Sequence, residues 1–233
     1  METQFSRTEL LLGKEQVEKL QKSRVLVFGC GGVGGYTVEA LARSGVGFLE
    51  IVDADVVSLS NLNRQIIALH STIGKAKVQV LKERILDINP NCNVVTRQLF
   101  FLKENANQFD FSLYDYIVDA VDTVSAKIEI ITRAKEKAVP VISCMGAGNR
   151  IDASFQVTDI FKTFNCPLSR SVRQQLKKRG ISNLKVLYSP KKPDIRTSDF
   201  PGSVSYVPGV AGLLLAGEVI QDLLNATSKG STD

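Results

Sequence analysis

Gly29, Gly31 and Gly34 follow the apolar run Val25 to Phe28 at the spacing G-x-G-x-x-G, with Gly32 in the same turn. That pattern predicts a buried strand turning sharply into a helix whose first backbone N–H groups face a phosphate. A second apolar run, Phe48 to Val52, ends at Asp53, close to the roughly 20-residue separation at which a carboxylate grips ribose hydroxyls. Asn61, Arg64 and Gln65 follow within a dozen residues, and Gly74-Lys-Ala-Lys77 opens the next helical pattern. Arg64 and Lys77 are groups that stabilise phosphoryl charge. Tyr116-Ile-Val-Asp-Ala-Val-Asp122 is an apolar strand ending in carboxylates, and Asp122 at its carboxyl end is placed to hold Mg2+ between triphosphate oxygens. Glycines alone would also suit a nicotinamide-dependent oxidoreductase or a redox-sensing module, a class disfavoured by the Asn61/Arg64/Lys77 clamp. A P-loop is excluded, because Gly13-Lys14 and Gly74-Lys75 are followed by Glu15 and Ala76.

Taken together, G-x-G-G-V-G, D-x-D-x-V-x-x-S-N-L-x-R-Q, G-x-x-K and D-A-x-D, in order across residues 24–148, resemble the ubiquitin-activating-like adenylating enzymes. The resemblance implies that Asp53 binds ribose, that Asn61, Arg64 and Lys77 contact the triphosphate of ATP, and that Asp122 organises Mg2+. It also implies a homodimer in which Arg7, within Phe5-Ser-Arg-Thr8, reaches the γ-phosphate of the neighbouring subunit. Sulfur-carrier activators of this superfamily commonly hold zinc with two C-x-x-C pairs. Cys30, Cys92, Cys144 and Cys166 form no such pair, and His70 is the only histidine. Gly146 to Lys162, Cys166-Pro-Leu168, Leu176 to Gly180 and Pro201 to Gly212 instead resemble the tRNA threonylcarbamoyladenosine dehydratase branch. That branch implies ATP-dependent cyclisation of a modified tRNA nucleoside through a carboxyl adenylate. The alternative is adenylation of the C-terminus of a ubiquitin-like sulfur carrier. A monovalent cation (Na+ or K+) and a sulfur-transfer protein partner are left open.

A tRNA substrate requires a localised positive surface. Between Arg170 and Arg196 lie nine Lys or Arg and one acid, a net +8 within a chain of +5, so the remainder is −3. The segment, with Arg173, Lys177, Lys178 and Arg179 on a predicted helix, suits RNA rather than DNA given the branch resemblance; the bland alternative is a solvated face. Bland readings stand beside the other residues too. Asp53 and Asp122 could cap strand ends, Asn61 could cap the turn that holds Arg64, and Cys166 reads as a buried, unreactive thiol. Cys30 and Cys144 read as packing residues and His70 as a satisfied structural histidine.

The elements that must position these groups follow from periodicity. Strands over 24–29, 48–53, 93–97, 116–119 and 140–144 alternate with helices over 32–44, 74–88, 103–109 and 124–138, the pattern of a Rossmann-like, doubly wound α/β fold with a mostly parallel sheet. Residues 1–148 form the ATP-binding core with an N-terminal arm. Residues 149–233 form a basic, substrate-facing extension of the same domain, with a strand at 154–158, a helix at 167–179, a Pro-rich loop from Ser189 to Pro208 and a closing helix from Gly209 to Leu224. No secretory signal is evident, so the expectation is a cytoplasmic protein. The run Val207 to Leu224 reads as too short and too polar to span a membrane.

Overall fold

Parallel strands covered by helices on both faces must be apolar on both sides, and Val25 to Phe28 meets that condition at every position. In the computed structural model, which describes residues 2–194 and 201–226, these residues lie in β1 (Arg24–Phe28) at the centre of a seven-stranded sheet. The other strands are β2 (Phe48–Val52), β3 (Asn93–Arg97), β4 (Tyr116–Asp119), β5 (Val141–Cys144), β6 (Gln156–Asp159) and β7 (Lys185–Tyr188), in the order β3-β2-β1-β4-β5-β7-β6. Only β6 runs antiparallel, against β7. β1 sits between β2 and β4, with Val25 beside both Leu49 and Tyr116. The chain thus winds outward from β1 in one direction through β2 and β3, then returns to its other side. Such a reversal leaves a crevice beyond the strands' carboxyl ends, where ligands of open α/β sheets bind.

Alternate side chains of β1 enter two cores. Val25 and Val27 pack with α3 (Gly34–Arg43), α4 (Lys77–Ile88) and α7 (Tyr206–Asn225); Leu26 and Phe28 pack with α5 (Val124–Glu136) and α6 (Pro167–Lys178). Two further helices, α1 (Ser6–Leu12) and α2 (Lys14–Lys22), precede the sheet. α2 anchors through Val17 and Leu20, whereas α1 buries none of its residues.

The sequence-based expectations need three corrections. The helix expected over 103–109 is absent; only a 3-10 turn forms at Ala106–Gln108. Asn105 accepts from the Leu102 amide and donates to the Phe100 carbonyl, so its side chain competes with the helical backbone. Phe101, Phe109 and Phe111 gather around Phe28, with ring centroids 4.6, 5.6 and 5.8 Å away. β7 was not anticipated, because its four residues lie inside the basic segment. Third, the closing helix begins at Tyr206, takes Pro208 into its first turn, where no helical hydrogen bond is lost, and is long and apolar enough to cross a membrane by length and composition. Nine of its residues, Val207 and Leu215 among them, are nonetheless buried in the protein. The Pro-rich loop falls partly, and Arg196 wholly, outside the described residues.

Candidate active site

Every strand that borders the crevice delivers its next residues into it. After β1 the chain turns at Gly29, whose φ of +91° and whose approach to the Ala120 carbonyl, 2.7 Å from where a Cβ would stand, leave room for no other residue. Gly34 is equally constrained, since a Cβ there would lie 1.8 Å from the Gly29 carbonyl oxygen. At Gly31 the nearest atom to such a Cβ is Gln65 Nε2 at 3.9 Å, so the bare backbone borders open space. The N–H groups of Gly31, Gly32 and Val33 meet no protein acceptor among the described residues. Just ahead of α3, they form a cradle for an anion.

The cavity above this cradle measures about 810 Å³ and is lined by Gly29, Gly31, Gly32, Asp53, Asn61, Arg64, Gln65, Lys77 and Asp122. Gly34 is not in the lining; it supports the turn from behind. Asp53 does cap local structure, accepting from Cys30 N at 2.7 Å and Asp55 N at 2.9 Å, yet it also faces the cavity. Asn61 likewise does two things: its Oδ1 accepts from Ser58 N at 3.1 Å, while its side-chain Nδ2 has no partner among the described residues and the residue lines the cavity. Gln65 is 6% exposed, and its Oε1 is a buried acceptor without a donor among the described residues. Such an orphan carries a desolvation cost that a bound hydroxyl or amine would relieve. Arg64 is steered by the carbonyl of Ser60 and the side chain of Asn63, each 2.8 Å from its Nη1.

Lys77 opens α4 and is nearly buried. Its Nζ binds Asp55 Oδ2 at 2.6 Å and lies 4.0 Å from Asp53 Oδ1. Asp55 therefore holds the lysine in the cavity. Asp122, exposed beyond β4, pairs with no cation among the described residues. No cluster of three His, Cys, Asp or Glu there could cage a metal. As an exposed carboxylate with no cation partner among the described residues, Asp122 fits a hard divalent cation such as Mg2+ and would hold it beside a bound triphosphate. Arg7 lies exposed on α1 and does not line the cavity of its own chain.

Three features escaped the sequence. Leu99, Phe100 and Phe101 form an apolar wall of the same cavity as Asp53, suited to a purine; only the aromatic doublet could have signalled it. Below the floor, fully buried Lys127 binds Asp119 at 3.1 and 3.2 Å and the Cys144 carbonyl at 2.7 Å, tying β4 to β5. Arg150, also buried, lines the far wall and donates to Ser189 Oγ and the Lys191 carbonyl. Burial pushes the thiols of Cys30 and Cys144 up, the latter to about 12, so neither is a nucleophile near neutral pH. Cys166 is buried at the N-cap of α6, where its Sγ accepts from Ser169 N. His70 proves exposed rather than enclosed.

The basic segment is not one surface. Lys185 pairs with Asp222 and Glu218, and Lys191 with Asp152. Arg173, expected to meet RNA, spends its Nη1 on the Thr163 carbonyl at 2.7 Å, a structural anchor. Lys177, Lys178 and Arg179 stay exposed at the end of α6.

An anion cradle, a carboxylate facing the cavity, an apolar wall and a cation clamp at the switch point of a doubly wound sheet define a nucleotide-binding site in a protein of the α/β class. The ThiF family model matches residues 5–232. A tRNA threonylcarbamoyladenosine dehydratase of Bacillus subtilis (strain 168) is 43% identical across 95% of this chain and 94% of that protein. The crystal structure of the Escherichia coli tRNA N6-threonylcarbamoyladenosine dehydratase in complex with AMP matches with a TM-score of 0.91 at 32% identity, covering 95% of this chain and 94% of that one. Its complex with ATP gives 0.89, over 95% and 93%. The chain belongs to the ThiF family, in its tRNA threonylcarbamoyladenosine dehydratase branch.

Proposed function

We propose that this protein dehydrates threonylcarbamoyladenosine in tRNA, using ATP to turn the carboxyl group into a leaving group. The observation that carries the reading is the union, in one cavity, of the glycine cradle, Asp53 and the Arg64/Lys77 pair, in a chain so similar to a named dehydratase. Oxide is too poor a leaving group for direct ring closure. The substrate carboxylate oxygen therefore attacks the α-phosphorus of ATP, and pyrophosphate departs. Gly31 and Gly32 N–H groups hold the phosphate chain, and Arg64 and Lys77 offset the charge that grows on its oxygens. Mg2+ at Asp122 would supply further charge neutralisation across the triphosphate.

The carbamoyl nitrogen then attacks the activated carbonyl carbon, loses its proton and expels AMP, closing a five-membered ring. Because nucleophile and electrophile share one molecule, proximity does the work and no enzyme thiol is required. The neutral Cys30 and Cys144 accord with that. The net change is loss of one water as ATP becomes AMP and pyrophosphate.

The active form is a homodimer in which Arg7 acts on the partner's ATP. Two observations support it: Arg7 is absent from its own cavity, and Leu10 and Leu11 beside it on α1 are 88% and 84% exposed. Exchange of labelled pyrophosphate into ATP tests the reading. Exchange should require tRNA carrying threonylcarbamoyladenosine; exchange supported instead by a small protein ending in Gly-Gly would reverse it.

A further inference from the structure

A second cavity, of about 480 Å³, adjoins the first: Cys166 and Pro167 line both. Its lining includes Arg170, Arg173 and Lys192 and, among the described residues, no acid. Arg170 and Lys192 are exposed, and neither side chain has a partner among the described residues. This groove is built rather than incidental. Lys192 follows a stretch of backbone clamped from two sides, where Asn165 Nδ2 donates to the Pro190 carbonyl at 3.0 Å and buried Arg150 donates to the Lys191 carbonyl at 2.7 Å. Asn165 sits at φ 56°, a left-handed conformation that costs most residues energy but that asparagine tolerates. On the opposite side, the anchor from Arg173 Nη1 to Thr163 fixes the guanidinium whose other nitrogens, Nε and Nη2, make no hydrogen bond among the described residues.

We infer that this groove binds the RNA phosphodiesters flanking the modified nucleoside, while the nucleoside itself enters the adenylation cavity. The inference rests on the proposed dehydratase function and locates its RNA contact. A nucleoside placed in a pocket leaves its chain outside, so backbone phosphates must meet protein at the rim. Three cations with no carboxylate among the described lining residues suit that role. Lys177, Lys178 and Arg179 lie about 12 Å farther along α6 from Arg170, beyond the rim, and contribute less.

The test compares the full-length wild type with R170A/K192A and K177A/K178A/R179A. Affinity for threonylcarbamoyladenosine-bearing tRNA is measured by fluorescence anisotropy between about 50 and about 200 mM KCl, alongside ATP affinity and single-turnover dehydration. R170A/K192A should bind tRNA roughly tenfold or more weakly. Its log-affinity against log-salt slope should be shallower by about 1.4, two contacts at ~0.7 each, with ATP affinity unchanged and turnover restored at saturating tRNA. Unchanged affinity and slope in R170A/K192A, or a larger loss in K177A/K178A/R179A, overturns the inference. So does a variant whose inhibition by inorganic pyrophosphate weakens while its tRNA binding does not, since the groove would then serve the leaving group. A wild type that binds the RNA but does not dehydrate it defeats the functional reading separately, and the binding measurements still decide the groove.

Discussion

Lys77 shows how one side chain can be held ready without being consumed by structure. It is nearly buried and paired with Asp55, a carboxylate that is itself mostly exposed and so a weak competitor for the ammonium once phosphate arrives. Lys77→Ala and Arg64→Ala should each keep the fold and lower adenylate formation by about 10²- to 10³-fold, measured as pyrophosphate exchange; exchange at the wild-type rate in either would remove that residue from the clamp. Gly31→Val should abolish ATP binding without changing the melting temperature, because its side chain would enter the cavity rather than the protein core. Calorimetric ATP titration checks this. At this scale much was legible in advance. Asp53, Asn61, Arg64, Gln65, Lys77 and Asp122 converge on one cavity as their spacing implied. Arg173 also ties its Nη1 to Thr163, an anchoring contact that net charge along a sequence cannot show.

At the scale of elements, buried charge joins secondary structures, as two pairs show. Glu39 of α3 accepts from Arg84 of α4 at 3.0 Å and from Arg43 at 2.8 Å. Burial alone would raise its pKa, but hydrogen bonds and charge from the two arginines outweigh that and hold it below the ordinary value of 4.5. A group depressed in the folded state stabilises fully above its unfolded pKa, and that stability is lost as pH falls through the folded value. Thermal melts at about pH 6 and about pH 3 should therefore show a smaller acid-induced drop for Glu39→Gln than for wild type; equal drops would contradict the assignment. The Lys127–Asp119 pair is fully buried, so Lys127→Met should cost about 3–5 kcal/mol by leaving Asp119 uncompensated. Chemical denaturation reads this directly. Neither pair was foreseen, since an ion pair between elements depends on how they stack. The missed β7 has a different cause. Lys185-Val-Leu-Tyr188 is too short to show a period, and only its place between β5 and β6 makes it a strand.

For the whole molecule, the sheet's reversal at β1 gathers residues from beyond the ends of β1 to β5, and the second half of the chain completes the same sheet through β7 and β6. The cavity is thus walled on one side by the nucleotide-binding half and on the other by Gly146 to Arg150, Cys166 and Pro201 to Ser203. That enclosure suits a reaction in which an adenylate must close a ring before water reaches it. If Arg7 serves the partner's site, mixing inactive Arg7→Ala and Lys77→Ala homodimers should restore activity through heterodimers that contain one intact site; an arginine supplied this way contributes about 10³- to 10⁵-fold in related phosphoryl chemistry. Mixtures as inactive as their components would place Arg7 elsewhere. The most direct measurement of the central claim is incubation of the protein with ATP, Mg2+ and threonylcarbamoyladenosine-bearing tRNA, followed by nuclease digestion and mass analysis of the nucleoside. Loss of one water, matched by AMP release, is the predicted result; an unaltered nucleoside mass with an ATP-competent protein would contradict it.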